Sequence, residues 1–165
     1  MIVINSLEEI DKYKTEERYI EEKDCNYICY VFKENNQLQD VEFNISISLS
    51  FDDQLDNLIN NEMPYNEYCF IAKNVKMNIS SRFYELIADN LESKGICDIE
   101  HLKIKQNITA DVLSARYISA KSIEASSIIV ADEINCEHIK AKKFCFNNQE
   151  FVNIDCDIRK PKEIL

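Results

Sequence analysis

The chain has 165 residues, of which 45% are hydrophobic and 30% charged, a balance that suits one domain with a buried core and excludes a disordered chain. Its single glycine excludes glycine-rich phosphate-binding loops, because these need glycine where the backbone approaches a phosphate group. The formal net charge of −11 disfavours direct contact with nucleic acid, which requires a basic surface.

The excess of negative charge is confined to the part of the chain that ends at Glu67. Positions 1–67 have 16 Asp and Glu against 5 Lys and Arg, whereas positions 68–165 have 14 of each kind. Electrostatic recognition of a basic partner is therefore predicted in the first part, and a merely solubilising surface is the alternative. The residues predicted to contact the partner are Glu16, Glu17, Glu21, Glu22, Asp24, Asp52, Asp53 and Asp56.

The seven cysteines leave one unpaired in any disulfide scheme and follow no regular spacing, which indicates reduced thiols. The closest pair, Cys25 and Cys29, has no partner pair downstream, so no metal site and no other cofactor are predicted. No stretch is long and apolar enough for a membrane span, and the acidic start is not typical of a signal peptide. We therefore expect a cytoplasmic protein with no membrane contact.

Residues 1–67 are predicted to form an acidic α/β cap. Ser6 and Glu9 make a capping box that predicts a short helix from Leu7 to about Tyr13 or Lys14. Residues 27–32 and the strictly alternating residues 41–51 predict a pair of strands around a turn at 34–37. One or two helical turns are expected at 52–59.

Residues 68–72 and 75–79 are predicted to be strands, followed by a helix over about 81–94. The helix prediction depends on apolar residues at helical spacing after a serine cap, namely Phe83, Leu86, Ile87 and Leu91. Gly95 would then take the left-handed conformation that often ends a helix.

From about Ile99 to Phe144 the apolar residues recur every five positions. Large residues lie at 108, 113, 118, 123 and 128 and, after one inserted residue, at 134, 139 and 144, and a small residue usually follows two positions later. A helix cannot hold this period on one face, because five residues turn it by about 500°. The pattern predicts a coil of four short sides and about twenty residues, stacked on its neighbours like paired strands. The residues predicted to point outward are Asp111, Arg116, Lys121, Glu124, Glu137 and Lys140.

The predicted fold class is therefore mainly β with some α. Residues 68–165 form a short β-solenoid with the helix at about 81–94 and a C-terminal tail, and residues 1–67 form the cap. Fewer than three coils are visible, and stacked repeats need about three units to be stable. The strands before Ile79 are therefore expected to join the stack, and the helix is expected to cover one opening.

No catalytic motif surrounds the two histidines, His101 and His138. Cys136 and His138 are a possible nucleophile and base, but the repeat places Cys136 inward and His138 outward. We therefore expect a packing cysteine, a surface histidine and no enzymatic activity.

The I-x-A-x-x ladder resembles pentapeptide-repeat proteins, and the capping box of residues 4–10 ahead of it resembles solenoid proteins of phages and mobile elements. Because some pentapeptide-repeat proteins imitate DNA, the resemblance implies a phage- or mobile-element-encoded inhibitor or decoy. Its basic partner would be a nucleic-acid-handling protein such as a CRISPR effector or restriction enzyme. A self-assembling scaffold stacked through open solenoid ends, as in bactofilin-like proteins or a homodimer, and an immunity protein for a toxin are the alternatives.

Overall fold

This computed structural model describes residues 2–4, 28–44 and 68–158. Every regular element in these ranges is a β-strand, and the α part of the predicted fold class is absent from them. The thirteen strands are β1 (Ile2–Ile4), β2 (Ile28–Glu34), β3 (Gln37–Leu38), β4 (Val41–Phe43), β5 (Tyr68–Ile71), β6 (Asn74–Met77), β7 (Ser81–Ala88), β8 (Asn90–Ser93), β9 (Ile96–Ile104), β10 (Asn107–Ser119), β11 (Ser122–Asn135), β12 (His138–Phe146) and β13 (Gln149–Asp157).

The strands form a β-solenoid of about five turns, which confirms the predicted architecture. Stacked residues are mostly 16 positions apart, as Cys97 is from Leu113 and Ile123 from Ile139. Neighbouring coils pair in parallel from β1 to β12. The predicted coil of about twenty residues is therefore wrong.

Each coil contributes three large inward residues, so it has three sides rather than the predicted four. Five residues for each side and one extra at a corner account for the observed repeat, and the five-residue period does not itself fix the number of sides. The three inward columns are Phe70, Leu86, Leu102, Ile118 and Ile134; Val75, Leu91, Ile108, Ile123 and Ile139; and Cys97, Leu113, Ile129 and Phe144.

The inserted residue in the ladder lies earlier than predicted. The pairing of β11 shifts between Glu124 and Ile128, so Ile129 is fully buried whereas Ile128 is partly exposed. Ala131 then fills the small inward position two residues later. The prediction that Ile128 points inward is wrong, because a bulge moves every later side chain by one position.

The predicted helix at about 81–94 is also wrong, since these residues form β7 and β8. Leu86, Ala88, Leu91 and Ser93 are large and small ladder residues, and they are buried like their counterparts. The backbone N–H and C=O groups of β7 and β8 bond to neighbouring strands, so these residues do not need the hydrogen bonds of a helix. Gly95 has a φ of 77°, as predicted, but it lies at the corner between β8 and β9.

The strands before Ile79 join the stack, as expected: β1 and β2 precede β5 in the sheet. The strands predicted at 27–32, 68–72 and 75–79 are confirmed as β2, β5 and β6, and Asn35 and Asn36 form the predicted turn. However, β4 pairs with β6 rather than β2. The helices predicted from Leu7 and at 52–59 lie outside the described residues, as do residues 45–51 of the predicted second strand. The boundary at residue 67 stays a prediction.

Aromatic side chains fill both ends of the core, whereas isoleucine and alanine fill its middle. Near the N-terminal end Phe70 lies 5.3 Å from Phe43 and 5.0 Å from Phe83, measured between ring centroids. Near the other end Phe144 lies 5.6 Å from Phe146 and 6.0 Å from Phe151. Bulky rings thus pack near both ends of the described core, and the helix that was expected to cover one opening is absent from the described residues.

The last strand, β13, reverses direction and pairs antiparallel with β12. Asn147 and Asn148 make the turn with φ angles of 48° and 64°, the left-handed conformation that a two-residue hairpin requires. Ile158 packs into the core and donates its backbone N–H to Glu137 O. The parallel stack therefore ends at β12, and β13 is left as an exposed edge strand.

Candidate functional site

The acidic residues predicted to bind a partner, Glu16 to Asp24 and Asp52 to Asp56, lie outside the described residues. The strands that flank them are described, however, and show where the two segments join the solenoid. Residues 5–27 connect β1 to β2, and residues 45–67 connect β4 to β5. The strands that both segments connect lie at the N-terminal end of the stack.

Pairing of the strands shows that these connections are longer than a coil needs. Ile2 pairs with Tyr30, and Tyr30 pairs with Phe70. Each of these steps along the chain is much longer than the later step from Phe70 to its stacked partner Leu86. The two acid-rich segments therefore lie between strands whose stacked residues are farther apart in the chain than in the later coils.

The described surface of the later coils has almost balanced charge. Positions 68–158 contain 11 Lys and Arg against 13 Asp and Glu, and oppositely charged side chains meet across neighbouring strands. These ion pairs are Arg82–Asp98 at 3.4 Å, Lys103–Glu85 at 3.0 Å, Arg116–Glu100 at 3.7 Å and Lys143–Glu150 at 3.3 Å. The six residues predicted to point outward are all exposed.

Cys136 and His138 do not face each other. Cys136 is buried in the small inward position, and burial, helped by the nearby Cys156, raises the pKa of its thiol to about 11. His138 points outward, with Nδ1 2.7 Å from Asp157 Oδ1 and Nε2 3.2 Å from Asp155 Oδ1. Both aspartates belong to β13, which pairs with the strand of His138, β12. The repeat correctly predicted that Cys136 is buried and that His138 points outward. The contacts of His138 with β13 were not predicted.

A cluster that sequence reasoning missed lies on the first side of the N-terminal coils. Cys29 and Cys69 are direct neighbours in β2 and β5, with Sγ atoms 3.1 Å apart. Glu85, the next residue in the column, has Oε1 3.3 Å from Cys69 Sγ and is only 5% exposed. Both cysteines precede an inward aromatic residue, Tyr30 or Phe70, and this shared dipeptide is the signal that could have revealed the pairing.

An exposed apolar column on the third side was also missed. Ile96, Val112 and Ile128 are direct neighbours in β9, β10 and β11, and Ile96 is 52% exposed. Val130 of β11 is a further exposed apolar residue, whereas Lys143 separates Ile128 from Val152 in the register. The sequence hid the column because Ile128 was assigned to the core. Adjoining apolar residues that are exposed or partly exposed are a candidate interaction surface.

Two open grooves of about 750 and 700 Å³ lie on the second side. The first is lined by residues that include Lys121, Glu137 and His138, and the second by Glu42, Lys76 and Glu92. Both grooves are lined by acidic and basic side chains. Within the described ranges no group of three or more His, Cys, Asp or Glu residues could hold a metal ion.

Compared with protein-family models, with curated proteins and with solved structures, the chain gives no match. The fold alone therefore defines its class, that of a three-sided β-solenoid, and the resemblance to pentapeptide-repeat proteins stays a prediction. In the part of the chain that the structure describes, no helix is long and apolar enough to cross a membrane.

Proposed function

We propose that this protein is a non-enzymatic inhibitor or decoy that binds a basic nucleic-acid-handling protein through its two acid-rich segments. The observation that carries the proposal is that the excess of acidic residues lies in two segments of the chain, outside the strands of the solenoid. Positions 5–27 and 45–67 together contain 13 acidic residues and 4 basic ones. They connect strands of a stack whose other surface charges are nearly balanced.

The strands that follow the two acid-rich segments are neighbours, and this supports the proposal. β2 lies directly between β1 and β5 in the sheet, and Ile28 and Tyr68, the first residues after the two segments, are register partners. Adjacent parallel strands are about 4.8 Å apart. Two acidic segments that end at neighbouring strands can present their charges to the same partner, as a phosphate mimic requires.

The source of the protein, a phage or mobile element, and the type of partner, a CRISPR effector or restriction enzyme, follow from the resemblance to pentapeptide-repeat proteins. Both are therefore part of the proposal. The cytoplasm is the compartment in which such a partner would be met.

A variant with four reversed charges tests the proposal. Changing Glu16, Glu17, Glu21 and Glu22 to Lys inverts the charge of the first acid-rich segment, so capture of basic nucleic-acid-binding proteins from a bacterial lysate should fall at least tenfold. A matched control reverses four exposed acids of the solenoid, Glu92, Asp132, Glu133 and Glu137, and should keep the parent's capture. Equal losses in both variants would show that only net charge matters and would contradict a site in the acid-rich segments.

Assembly into a scaffold is a second candidate, because the exposed apolar column gives it a specific surface. In that case a second copy would cover Ile96, Val112 and Ile128, and the parent would be larger than a monomer by light scattering. Changing Ile128 to Lys would then return it to the monomer, since a charge on this column cannot be buried without a partner. A monomeric parent at high concentration would remove the scaffold from consideration.

A further inference from the structure

The Cys29, Cys69 and Glu85 cluster has the geometry of a dithiol site with its own base. Adjacent parallel strands are about 4.8 Å apart, within the range of about 4.4–6.8 Å between Cα atoms that a disulfide bridges. The two Sγ atoms already lie 3.1 Å apart. A bond between them therefore requires only small side-chain rotations.

The two thiols differ in accessibility and acidity. Cys29 is partly exposed, whereas Cys69 is buried. The neighbouring thiol of Cys69 holds the pKa of Cys29 below its ordinary value, because a hydrogen bond stabilises the Cys29 thiolate. The same contact, followed by burial and the Glu85 carboxylate, raises the pKa of Cys69. Cys29 is thus the thiol that reacts first, and Cys69 the one that needs a base.

Glu85 is placed to be that base. Its Oε1 lies 3.3 Å from Cys69 Sγ, and its Oε2 lies 3.0 Å from Nζ of Lys103. The ion pair with the lysine turns the carboxylate so that its other oxygen faces the thiol. Glu85 is one of three buried polar or charged residues in the described ranges, and its carboxylate lies next to the cysteine pair.

We propose that Cys29 and Cys69 form a reversible disulfide by exchange with a small disulfide such as oxidised glutathione. This inference does not depend on the proposed inhibitor function. The bond would close a loop that contains the second acid-rich segment and would fix β2 on β5.

The reaction balances in two exchanges. The Cys29 thiolate attacks one sulfur of the small disulfide, whose S–S bond breaks and releases one small thiolate. Cys69 then gives its proton to Glu85, and its sulfur attacks Cys29 Sγ and releases the second small thiolate. The protons that leave Cys29 and Glu85 protonate the two released thiolates. Two protein thiols are thereby oxidised to one disulfide, and one small disulfide is reduced to two thiols.

Incubation of the full-length protein with oxidised glutathione, followed by peptide mapping without reduction, tests the proposal. We expect one cross-linked peptide pair that joins Cys29 to Cys69, a loss of two hydrogen atoms in mass, and reversal by dithiothreitol. Changing Cys29 to Ser should abolish the cross-link, and the matched control Cys136→Ser should leave it intact. A lasting glutathione adduct on Cys29, or a bond from Cys29 to Cys25, would overturn the proposal.

The Glu85→Gln variant separates the role of the base from a structural role. If Glu85 takes the proton from Cys69, this variant should collect the mixed disulfide at Cys29 and close the bond at least tenfold more slowly near neutral pH. The difference from the parent should shrink as the pH rises, because hydroxide then replaces the base. If the parent and the Glu85→Gln variant formed the disulfide at equal rates at every pH, the assignment of Glu85 as the base would be overturned. The peptide map alone decides whether Cys29 and Cys69 form the bond.

Discussion

Individual residues of the ladder show how burial sets chemistry in this solenoid. The small inward position accepts Ala120, Ala125 and Cys136 alike, because each is small enough for the chain to turn a corner. Cys97, in a large inward position, is fully buried as well. The same packing that makes these two thiols part of the core also keeps them protonated, since burial disfavours the thiolate.

Burial of Cys97 and Cys136 predicts a loss of stability at high pH. Burial raises the pKa of Cys97 to about 12 and that of Cys136 to about 11, from an ordinary value of 9.0. The unfolded thiols ionise from about pH 9 upward while the folded ones stay neutral. The contribution is thus complete below pH 9 and falls as the pH rises toward these values, by about 1.4 kcal/mol per pH unit for each cysteine.

Urea unfolding of the parent and the Cys97→Ala, Cys136→Ala double variant measures this contribution. The free energy of unfolding should fall less steeply with pH in the double variant between about pH 9 and about pH 11. Changing the partly exposed Cys145 to Ala is the matched control and should keep the parent's slope. Parallel pH curves for parent and double variant would show that these thiols titrate alike in the folded and unfolded chain.

At the scale of elements, the sequence predicts the ladder well but not its corners. The strict period and the small residue after each large one identified the solenoid, and the inward positions of Ile118 and Ile123 are confirmed. The predicted number of sides and the predicted place of the inserted residue were wrong, because a five-residue unit carries no information about how many units close a coil. The helix prediction at 81–94 failed for a related reason: apolar spacing that suits a helix over two turns also fits one large and one small ladder residue.

The candidate sites were predictable only in part. Charge asymmetry is visible in composition, so the acid-rich segments could be found from the sequence. The pairing of Cys29 with Cys69 could not, because the two cysteines are far apart in the chain and only the register of β2 on β5 brings them together. The exposed column through Ile128 was hidden by a one-residue shift in β11, which exchanges inward and outward faces.

Two neighbouring substitutions test the position of the bulge in β11. Ile129 is fully buried and Ile128 partly exposed, so Ile129→Asp should cost several kcal/mol or prevent folding, because it buries an unpaired carboxylate. Ile128→Asp should cost only about 1 kcal/mol or less, as surface changes do. Circular dichroism during thermal melting compares the two variants directly. If Ile128→Asp were the more damaging, the ladder would follow the pattern that the sequence predicted.

At the scale of the whole molecule, the scaffold and the excess of acidic charge belong to distinct parts of the chain. Aromatic residues pack near both ends of the described core, ion pairs between strands balance the later coils, and the two acid-rich segments contain most of the excess of acid. An inhibitor built in this way would attach its recognition segments to a preorganised base. Its binding would depend on charge, whereas its folding would not.

Competition between nucleic acid and the chain for a captured basic partner tests the proposed function most directly. Binding of that partner should weaken steeply as salt rises past the concentration at which the Debye length is about 8 Å, and duplex DNA or RNA bound by the partner should displace the chain. The Glu16, Glu17, Glu21 and Glu22 to Lys variant should show neither dependence. Binding by the parent that is unchanged by salt and by nucleic acid would contradict phosphate mimicry and would move the contact surface to the solenoid faces.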